Sequence, residues 1–156
     1  MKEKFEREPV LPPIRHVGIV VNDAEKTAGY YSSVFGIGPF NIQEFEYRNV
    51  IFQGKPTTGK LKIAMAQMGP IEIELIQVLK GGEYYTEFLR QKGGGLHHLG
   101  IYIDDFDTYD RLLKGLTDKG VEPVLNHRGR RSAFAYLDTQ AVDGVILELF
   151  HMSKSD

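Results

Sequence analysis

The sequence predicts an α+β fold in which two pseudo-symmetric βαβββ modules join their sheets into one open, barrel-like sheet that lines a cavity. Three observations predict it. The segment HVGIVVND at 16–23 recurs as HLGIYIDD at 98–105. Each copy is followed by an amphipathic helical pattern and a glycine, and the modules end alike, with IELI at 73–76 and LELF at 147–150. A repeat of only two copies predicts two similar modules around one core.

The first module shows the strand–helix–three-strand order. Its first segment is rich in β-branched residues, and Asp23 is placed to cap the helix that follows. The predicted elements are a strand at 14–21, a helix at 24–35, a strand and turn at 39–53, a loop at 54–60, and a hairpin of strands at 61–67 and 71–79.

The same order returns in the second module after a short helix and three glycines. The predicted elements are a linker helix at 83–92, a joint at 93–95, a strand at 96–103, a helix at 106–118, and strands at 121–126, 132–138 and 144–150. The repeat therefore predicts the following domain organisation. An N-terminal arm at 1–13 precedes a single domain at 14–151, made of module 1 (about 14–80), a linker helix (about 83–95) and module 2 (about 96–151), and a tail follows at 152–156.

Composition argues against several classes of function. The 156 residues contain no cysteine, which excludes disulfides, thiolate metal sites and a cysteine nucleophile. The net charge of −2 lacks the basic field of a general nucleic-acid binder. No apolar run approaches the length of a membrane span, and the charged, proline-rich start is unlike a signal peptide. We therefore expect a cytoplasmic protein with no nucleic-acid or membrane partner.

Each module places one histidine and one glutamate on the sheet face that points away from its helix. Because strand side chains alternate between faces, His16 lies opposite Val17, which suits packing against the helix. His98 holds the same place in the second repeat, and Glu74 and Glu148 face away from apolar neighbours in the closing strands. A pseudo-twofold axis between the modules would bring these four side chains together.

Two imidazoles and two carboxylates suit a divalent metal of the zinc, cobalt, nickel, manganese or iron(II) type. Taken singly, a strand histidine is usually structural, and a strand glutamate usually faces water. The recurrence of the pair in both modules favours a metal site instead. The predicted ligands are His16, Glu74, His98 and Glu148.

Other ionisable residues stay outside this set. His97 alternates to the opposite face from the predicted ligand beside it, and His127 and His151 are expected on the surface. Glu72 shares a face with Glu74 and is either a cavity-lining acid or a solvated charge at the strand end.

Two further clusters have competing interpretations. The basic run 128–131 (RGRR) is either a solvated surface loop, which we favour, or a site for a phosphate such as that of coenzyme A. The apolar residues of the linker helix are expected in the core or an interface rather than against substrate. They are Tyr84, Tyr85, Phe88 and Leu89.

These strands and their order resemble the vicinal oxygen chelate superfamily, which includes glyoxalase I, methylmalonyl-CoA epimerase, extradiol dioxygenases and the fosfomycin- and bleomycin-resistance proteins. The resemblance covers about residues 14–151. It is closest to methylmalonyl-CoA epimerase-like proteins, in GGLHHLGI at 94–101, ELIQVL at 74–79 and DGVILEL at 143–149. The family's metal ligands fall on His16, Glu74, His98 and Glu148, and the resemblance implies a homodimer.

The resemblance implies a metal-dependent epimerase or isomerase that removes a proton alpha to a carbonyl through a metal-stabilised enolate. The metal would be one divalent ion, either zinc, cobalt, nickel or manganese. The substrate would be a small molecule with vicinal oxygens, an acyl-CoA among the candidates. Glu148 is expected to exchange protons as well as bind the metal, with Glu74 or another cavity acid acting on the opposite face.

One position departs from the epimerase pattern. Those enzymes carry a catalytic glutamate before the third strand, where counting back from Glu74 places Thr58. The candidate replacements for that acid are Glu44, Glu46 and Glu72.

Two alternatives remain open. One is a glyoxalase I-type lyase or isomerase that acts on a thiol adduct of a 2-oxoaldehyde with the same four ligands. The other is a non-catalytic binding or resistance protein, which needs no metal site. A ring-cleaving dioxygenase fits less well, because Glu74 would occupy a position that such an enzyme keeps open.

Overall fold

The computed structural model describes residues 10–154, so residues 1–9 of the predicted arm and 155–156 of the predicted tail lie outside the described residues. The described part contains eight strands and three α-helices in the predicted order. They are β1 (Ile14–Val20), α1 (Ala24–Phe35), β2 (Asn41–Phe52), β3 (Lys55–Met68), β4 (Ile71–Gly81), α2 (Glu83–Lys92), β5 (Gly95–Tyr102), α3 (Phe106–Thr117), β6 (Pro123–Arg128), β7 (Ser132–Leu137) and β8 (Ile146–Met152).

The strands form one closed ring in the order β1-β4-β3-β2-β6-β7-β8-β5. The modules meet at two seams. At one, β1 is antiparallel to β5, and each of these strands is parallel to the closing strand of its own module. At the other seam, β2 and β6 share two residue pairs, Ile51 with Asn126 and Phe52 with Leu125. The α+β fold of two βαβββ modules is confirmed, and these two pairs close the sheet that the sequence predicted to be open.

Helices α1 and α3 cover equivalent outer faces of the two modules. Helix α1 begins after Asp23, whose carboxylate accepts a hydrogen bond from a backbone N–H of the first turn. Its buried Ala24 and Ala28 pack against Ala64 and Leu75 of the sheet. Small residues on the helix let it approach the strands closely, which fixes β4 from outside the barrel.

In the second module, α3 packs against β8 from outside the barrel. Its N-cap Asp105 accepts a hydrogen bond from the backbone N–H of Thr108 at 2.7 Å. Tyr109 and Leu112 are buried in a cluster that includes Leu149 of β8. Each closing strand, which carries one predicted glutamate ligand, is therefore held by a helix on its outer face.

Strand β3 begins earlier than the sequence predicted and forms a hairpin with β2. Residues 54–60 were expected to form a loop because they include Pro56 and Gly59, but they form the start of β3. Gln53 and Gly54 both have positive φ, which allows a tight two-residue turn. Pairing between β3 and β4 begins at Gly59, after Pro56, so the missing N–H of Pro56 removes no hydrogen bond to β4.

Helix α2 packs into the core cluster between the modules. Tyr85 is buried there together with residues of both halves, including Val20 and Leu125, and Tyr84, Phe88 and Leu89 are partly buried around it. The expectation that these linker-helix residues belong to the core is confirmed, although Tyr85 also lines the cavity inside the barrel. Between residues 10 and 154, no helix is long and apolar enough to cross a membrane.

Candidate metal centre

The strand register brings the four predicted ligands into two adjacent rows across the sheet. Gly18 of β1 lies between Glu74 of β4 and His98 of β5. Gly100 of β5 lies between His16 of β1 and Glu148 of β8. The two rows are equivalent under the exchange of modules, as the internal repeat predicts.

The ligand atoms of these four side chains converge on one point. The Nε2 atoms of His16 and His98 are 2.9 Å apart. The Oε2 atom of Glu148 lies 2.8 Å from His16 Nε2 and 3.0 Å from His98 Nε2. The Oε2 atom of Glu74 lies 3.5 Å and 3.2 Å from the same two nitrogens. One donor atom from each residue therefore lies within 4.8 Å of all the others.

Two glycines make this approach possible, and each serves the histidine of the other module. A Cβ atom on Gly18 would lie 2.0 Å from Cε1 of His98, and a Cβ atom on Gly100 would lie 1.9 Å from Cε1 of His16. Both distances are far below van der Waals contact. Each imidazole therefore lies over the bare backbone of the neighbouring strand, which explains physically why the repeated motif is His-x-Gly.

The group is buried and strongly coupled electrostatically. His98 has no exposed surface, and Glu148 is 6% exposed. Burial disfavours the Glu148 carboxylate, but the imidazoles of His98 and His16 outweigh burial and lower its pKa well below the ordinary value. Burial also lowers the pKa of His98, yet Glu148 and Glu74 more than reverse this and raise it to about 9. The two carboxylates therefore stabilise positive charge at this point of the barrel.

The donor set fits a divalent cation. Buried charges are paired or coordinate metals, because their desolvation is otherwise too costly. Tetrahedral zinc, with ligands about 2.0–2.1 Å away, places its donor atoms about 3.3 Å from each other. The four separations between an imidazole nitrogen and a carboxylate oxygen, from 2.8 Å to 3.5 Å, lie around that value. The four residues are thus positioned to hold one ion.

The group forms part of the wall of a cavity of about 560 Å³ inside the barrel. His16, Glu74 and Glu148 line it, whereas the fully buried His98 lies behind them. Most of the neighbouring wall is apolar, with Leu61, Ile63, Met65, Ile76, Phe134 and Phe150 in the lining. On one side the cavity reaches exposed residues of β2, which is where a ligand would enter.

Three tyrosines surround the group. The rings of Tyr102 and His16 are 5.2 Å apart, and the rings of Tyr136 and His98 are 4.9 Å apart. The buried hydroxyls of Tyr85 and Tyr136 are hydrogen-bonded at 2.8 Å, and burial raises the pKa of both well above the ordinary value. All three tyrosines line the cavity. The Tyr102 proton is donated to Glu72 and one proton of the Tyr85–Tyr136 pair is used within the pair, so one hydroxyl proton of that pair is left to donate to a ligand.

His97 is the residue next to this group that the sequence pattern placed wrongly. It was expected on the opposite face from His98, but its Nδ1 atom lies 2.9 Å from Nδ1 of His98. A bulge in β5 explains the error. Gly18 pairs with His98 while the next residue, Ile19, pairs with Leu96, so His97 is an extra residue in the strand. A bulge breaks the alternation of side chains and can direct two successive residues to one side.

The three acids proposed as replacements at the Thr58 position differ in whether they line the cavity. Thr58 is exposed and lies outside the cavity lining. Glu44 forms an ion pair with Lys60 at 2.6 Å. Glu72 accepts a hydrogen bond from the Tyr102 hydroxyl at 3.2 Å, beside the cavity rather than in its lining. Among the three, Glu46 is the one that contributes to the lining.

Two histidines expected on the surface are not there. His127 is half-buried and lines the cavity, and His151 is 5% exposed, with Nδ1 donating to the Ile103 carbonyl at 2.7 Å. Both expectations were wrong because β6 and β8 each run two residues beyond their predicted ends. Each histidine therefore lies within the barrel wall, where side chains alternate between the interior and the outer layer.

The basic cluster is partly engaged in structural contacts. The exposed Arg128 forms two hydrogen bonds of 3.0 Å to the Asp110 carboxylate, and its guanidinium lies 3.8 Å from the ring centre of Phe106. It thereby ties the end of β6 to α3. The interpretation of this residue as a surface group agrees better with these contacts than a phosphate site does.

Residues 15–136 match the model of the Glyoxalase/Bleomycin resistance protein/Dioxygenase superfamily, which spans both modules and most of the chain. The chain belongs to this superfamily. The resemblance inferred from the sequence is thereby confirmed, and solved structures of methylmalonyl-CoA epimerases share the fold.

Two curated relatives and one solved structure illustrate the similarity. The uncharacterized protein YqjC of Bacillus subtilis (strain 168) is 26% identical over 139 residues, or 86% of this chain and 88% of the relative. The mitochondrial methylmalonyl-CoA epimerase of Homo sapiens is 23% identical over 140 residues, or 89% of this chain and 73% of the relative. A variant of the Streptomyces coelicolor methylmalonyl-CoA epimerase, in complex with 2-nitronate-propionyl-CoA, superposes with a TM-score of 0.68 at 22% identity, covering 92% of this chain and 99% of the other.

Proposed function

We propose that this protein is a metal-dependent epimerase or isomerase that removes a proton alpha to a carbonyl, in the manner of methylmalonyl-CoA epimerase. The observation that carries the proposal is the convergence of four ligand atoms, within 4.8 Å of one another, at the wall of a large cavity. Catalytic zinc sites can expand to five ligands, so a substrate oxygen could bind an ion that already has four protein ligands. Here three of the four residues face the cavity and one is buried behind them, so an ion would be accessible from the cavity alone.

The four predicted ligands would together coordinate one zinc, cobalt, nickel or manganese ion. His16 and His98 would bind through Nε2, and Glu74 and Glu148 through Oε2. An ion held there would supply Lewis acidity, which stabilises negative charge that develops on a substrate oxygen. The apolar wall would exclude water from the reacting carbon and so strengthen the electrostatic interactions in the site.

Proton transfer falls to the carboxylates. Glu148, which lines the cavity, would accept the proton when the C–H electron pair moves toward the carbonyl. Epimerisation also needs an acid on the opposite face of the planar intermediate. Glu74, across the group from Glu148, and Glu46, farther along the lining, are the two candidates for that acid. The Tyr85–Tyr136 pair would donate a hydrogen bond within the cavity.

The substrate class follows from the same cavity. A small molecule with two vicinal oxygens would span the metal and a neighbouring donor, and the volume of about 560 Å³ suits an acyl group with part of its carrier. The acyl-CoA complexes of the related epimerases support an acyl-CoA substrate. The cytoplasmic location and the homodimer remain predictions.

Metal content of protein purified without chelators is the first test. We expect about one divalent ion per wild-type chain and none in Glu74→Ala or His98→Ala, because each removes one of four ligands. Glu122→Ala, which removes an exposed glutamate outside the site, should keep the metal. A wild-type chain that holds no metal and takes up none of the four ions would overturn the proposal and favour the non-catalytic binding protein.

The reaction is tested by exchange of the alpha proton of methylmalonyl-CoA in deuterium oxide, with metal-loaded protein. We expect exchange with wild type, and a loss of about 10²–10⁴-fold for Glu148→Gln, because general acid–base catalysis contributes about that much. Glu46→Gln should slow epimerisation only if Glu46 is the second acid, and Glu44→Gln on the same strand is its control. A fully metallated wild type that gives no exchange would refute the epimerase.

A glyoxalase I-type lyase or isomerase is the second candidate. It is favoured by the exposed Thr58, because the position of the usual epimerase acid is held by a residue that is not an acid and lies outside the cavity lining. This activity predicts thiol-dependent loss of methylglyoxal by the metal-loaded protein, with the same dependence on the four ligands. The two assays on one preparation separate the candidates.

A further inference from the structure

His97 is buried directly beside the predicted ligand His98. It is 3% exposed, and its Nδ1 atom lies 2.9 Å from Nδ1 of His98, on the side of that ring away from Glu74 and Glu148. The bulge in β5 brings the two rings to one side of the strand. Bulges next to functional sites often redirect a side chain, so this contact calls for a functional explanation.

The chemistry of imidazole restricts how the two rings can share protons. A ring nitrogen that binds a metal must present a lone pair, so a neutral His98 that uses Nε2 must carry its proton on Nδ1. That Nδ1–H faces Nδ1 of His97 at hydrogen-bond distance. His97 must then accept at Nδ1 and carry its own proton on Nε2.

The surroundings of His97 hold the ring in the orientation that this requires. Four aromatic rings lie around it, with centroids 4.8 Å to 5.5 Å away, and they belong to Tyr84, Tyr85, Phe88 and Tyr136. Its Nε2 atom has no hydrogen-bond partner among the described residues. Because nothing within that part of the chain competes for Nδ1, the contact with His98 is the one polar interaction of the ring that the structure gives.

We infer that His97 is a positioning residue, which accepts the Nδ1–H of His98 and so fixes the tautomer and orientation that direct Nε2 of His98 toward the metal. The inference rests on the proposed metal site, and it assigns a role to a residue outside the ligand set. Hydrogen-bond acceptors behind metal-binding histidines orient the ring and raise its basicity, and their loss costs about 10–100-fold in metal affinity.

Two substitutions separate this role from packing. His97→Phe keeps a ring of similar shape in the aromatic cluster and removes the acceptor, and we expect it to bind zinc about 10–100-fold more weakly than wild type. His97→Asn keeps an oxygen near the Nδ1 position, and we expect an affinity close to wild type. Affinities are measured on the full-length chain by competition with a chromophoric chelator. Circular dichroism of the metal-free variants verifies that each is folded.

A second measurement uses the wild-type protein and does not depend on any variant folding. Long-range ¹H–¹⁵N correlation on the zinc-loaded protein reports which nitrogen of each imidazole carries a proton. We expect His98 protonated at Nδ1, His97 protonated at Nε2, and a scalar coupling between the two Nδ1 nuclei across the hydrogen bond. A His98 ring that carries its proton on Nε2, or binds zinc through Nδ1, contradicts the inference.

The outcomes distinguish this inference from the proposed function. If wild type binds zinc and a folded His97→Phe binds it equally well, His97 has only a packing role and the metal site stands. If Asn fails to restore the affinity that Phe loses, the acceptor role is likewise refuted. If wild type itself binds no zinc, the proposed metal site is refuted, and the positioning role of His97 is refuted with it.

Discussion

At the scale of single residues, the glycines of the His-x-Gly motifs matter as much as the histidines. Gly18 and Gly100 contribute no side-chain atom to the site, yet each supplies the space in which the other module's imidazole lies. A side chain at either position would have to displace a ring that packs against fixed strands. The motif therefore encodes both a ligand and the gap that the opposite ligand needs.

Gly18→Ala is expected to displace His98 and to abolish tight metal binding, because the new Cβ would lie 2.0 Å from the imidazole. Overpacking of this kind also lowers the free energy of unfolding by about 1–3 kcal/mol. Metal affinity by chelator competition and urea denaturation of the metal-free protein measure the two effects.

The matched control is Gly29→Ala, in the interior of α1. A Cβ there meets nothing within 4 Å, so metal affinity should not change, and the helix should gain about 0.5–1 kcal/mol. A Gly18→Ala protein that binds zinc like wild type would show that the ring relocates without cost.

The four side chains that converge were predictable from the sequence, and the residue behind His98 was not. The repeat identified His16, Glu74, His98 and Glu148 because alternation holds in regular strands, and the structure brings all four together. His97 was missed because the bulge that re-aims it is set by pairing across the seam between the modules. Nothing in the local residue pattern signals that bulge.

At the scale of elements, the helices hold the glutamate-bearing strands from outside. Helix α3 is anchored at its start by Asp105 and in its body by Tyr109, which is almost fully buried. The positions of β4 and β8, and hence of both carboxylates, depend on these layers. Helix bounds were predicted well because capping residues and glycines mark them locally, whereas strand ends depend on partners distant in sequence, as the misplaced ends of β6 and β8 show.

Asp105→Ala should destabilise the protein by about 1 kcal/mol, because it removes the N-cap acceptor of α3. The free energy of unfolding from urea titration measures the loss. Asp104→Ala, one residue earlier and exposed, serves as the control and is expected to stay within about 0.5 kcal/mol of wild type. Equal effects for the two variants would show that the cap contributes nothing.

Strand β2 is expected to be the most labile part of the barrel wall. It pairs with β6 only at Ile51 and Phe52, so residues 41–47 pair with β3 alone. Backbone groups without a strand partner exchange with solvent through small local openings. Amide hydrogen exchange should therefore be much faster over 41–47 than over β5, which pairs on both sides. Equal protection of the two segments would contradict this expectation.

At the scale of the whole molecule, the candidate metal centre joins the two modules. Its four donors come from β1 and β4 of one module and from β5 and β8 of the other. Only the seam between β1 and β5 is extensively paired, since β2 and β6 share two residue pairs. A bound ion would therefore reinforce the fold where its halves meet.

Adding zinc should raise the melting temperature of the metal-free protein. At a free concentration about 100 times the Kd, the stabilisation is about 2.7 kcal/mol, or on the order of 5–10 °C for a domain of this size. Differential scanning calorimetry measures the shift, and EDTA should reverse it. Glu74→Ala should show no shift in melting temperature. A shift as large as that of wild type would mean that zinc binds at a different site.

The crossed arrangement of histidine and glycine has a consequence for how such a site can arise. One module alone supplies a histidine, a glutamate and an empty space, but the space fits only the histidine of a second module. Two identical copies of one module would therefore supply a complete set of donors and both gaps as soon as they paired along their first strands. After the copies are fused in one chain, a side chain larger than glycine in either module would displace the histidine of the other module. A change at one of these glycines or histidines therefore affects both halves at once, whereas a change in the core of one half affects that half first.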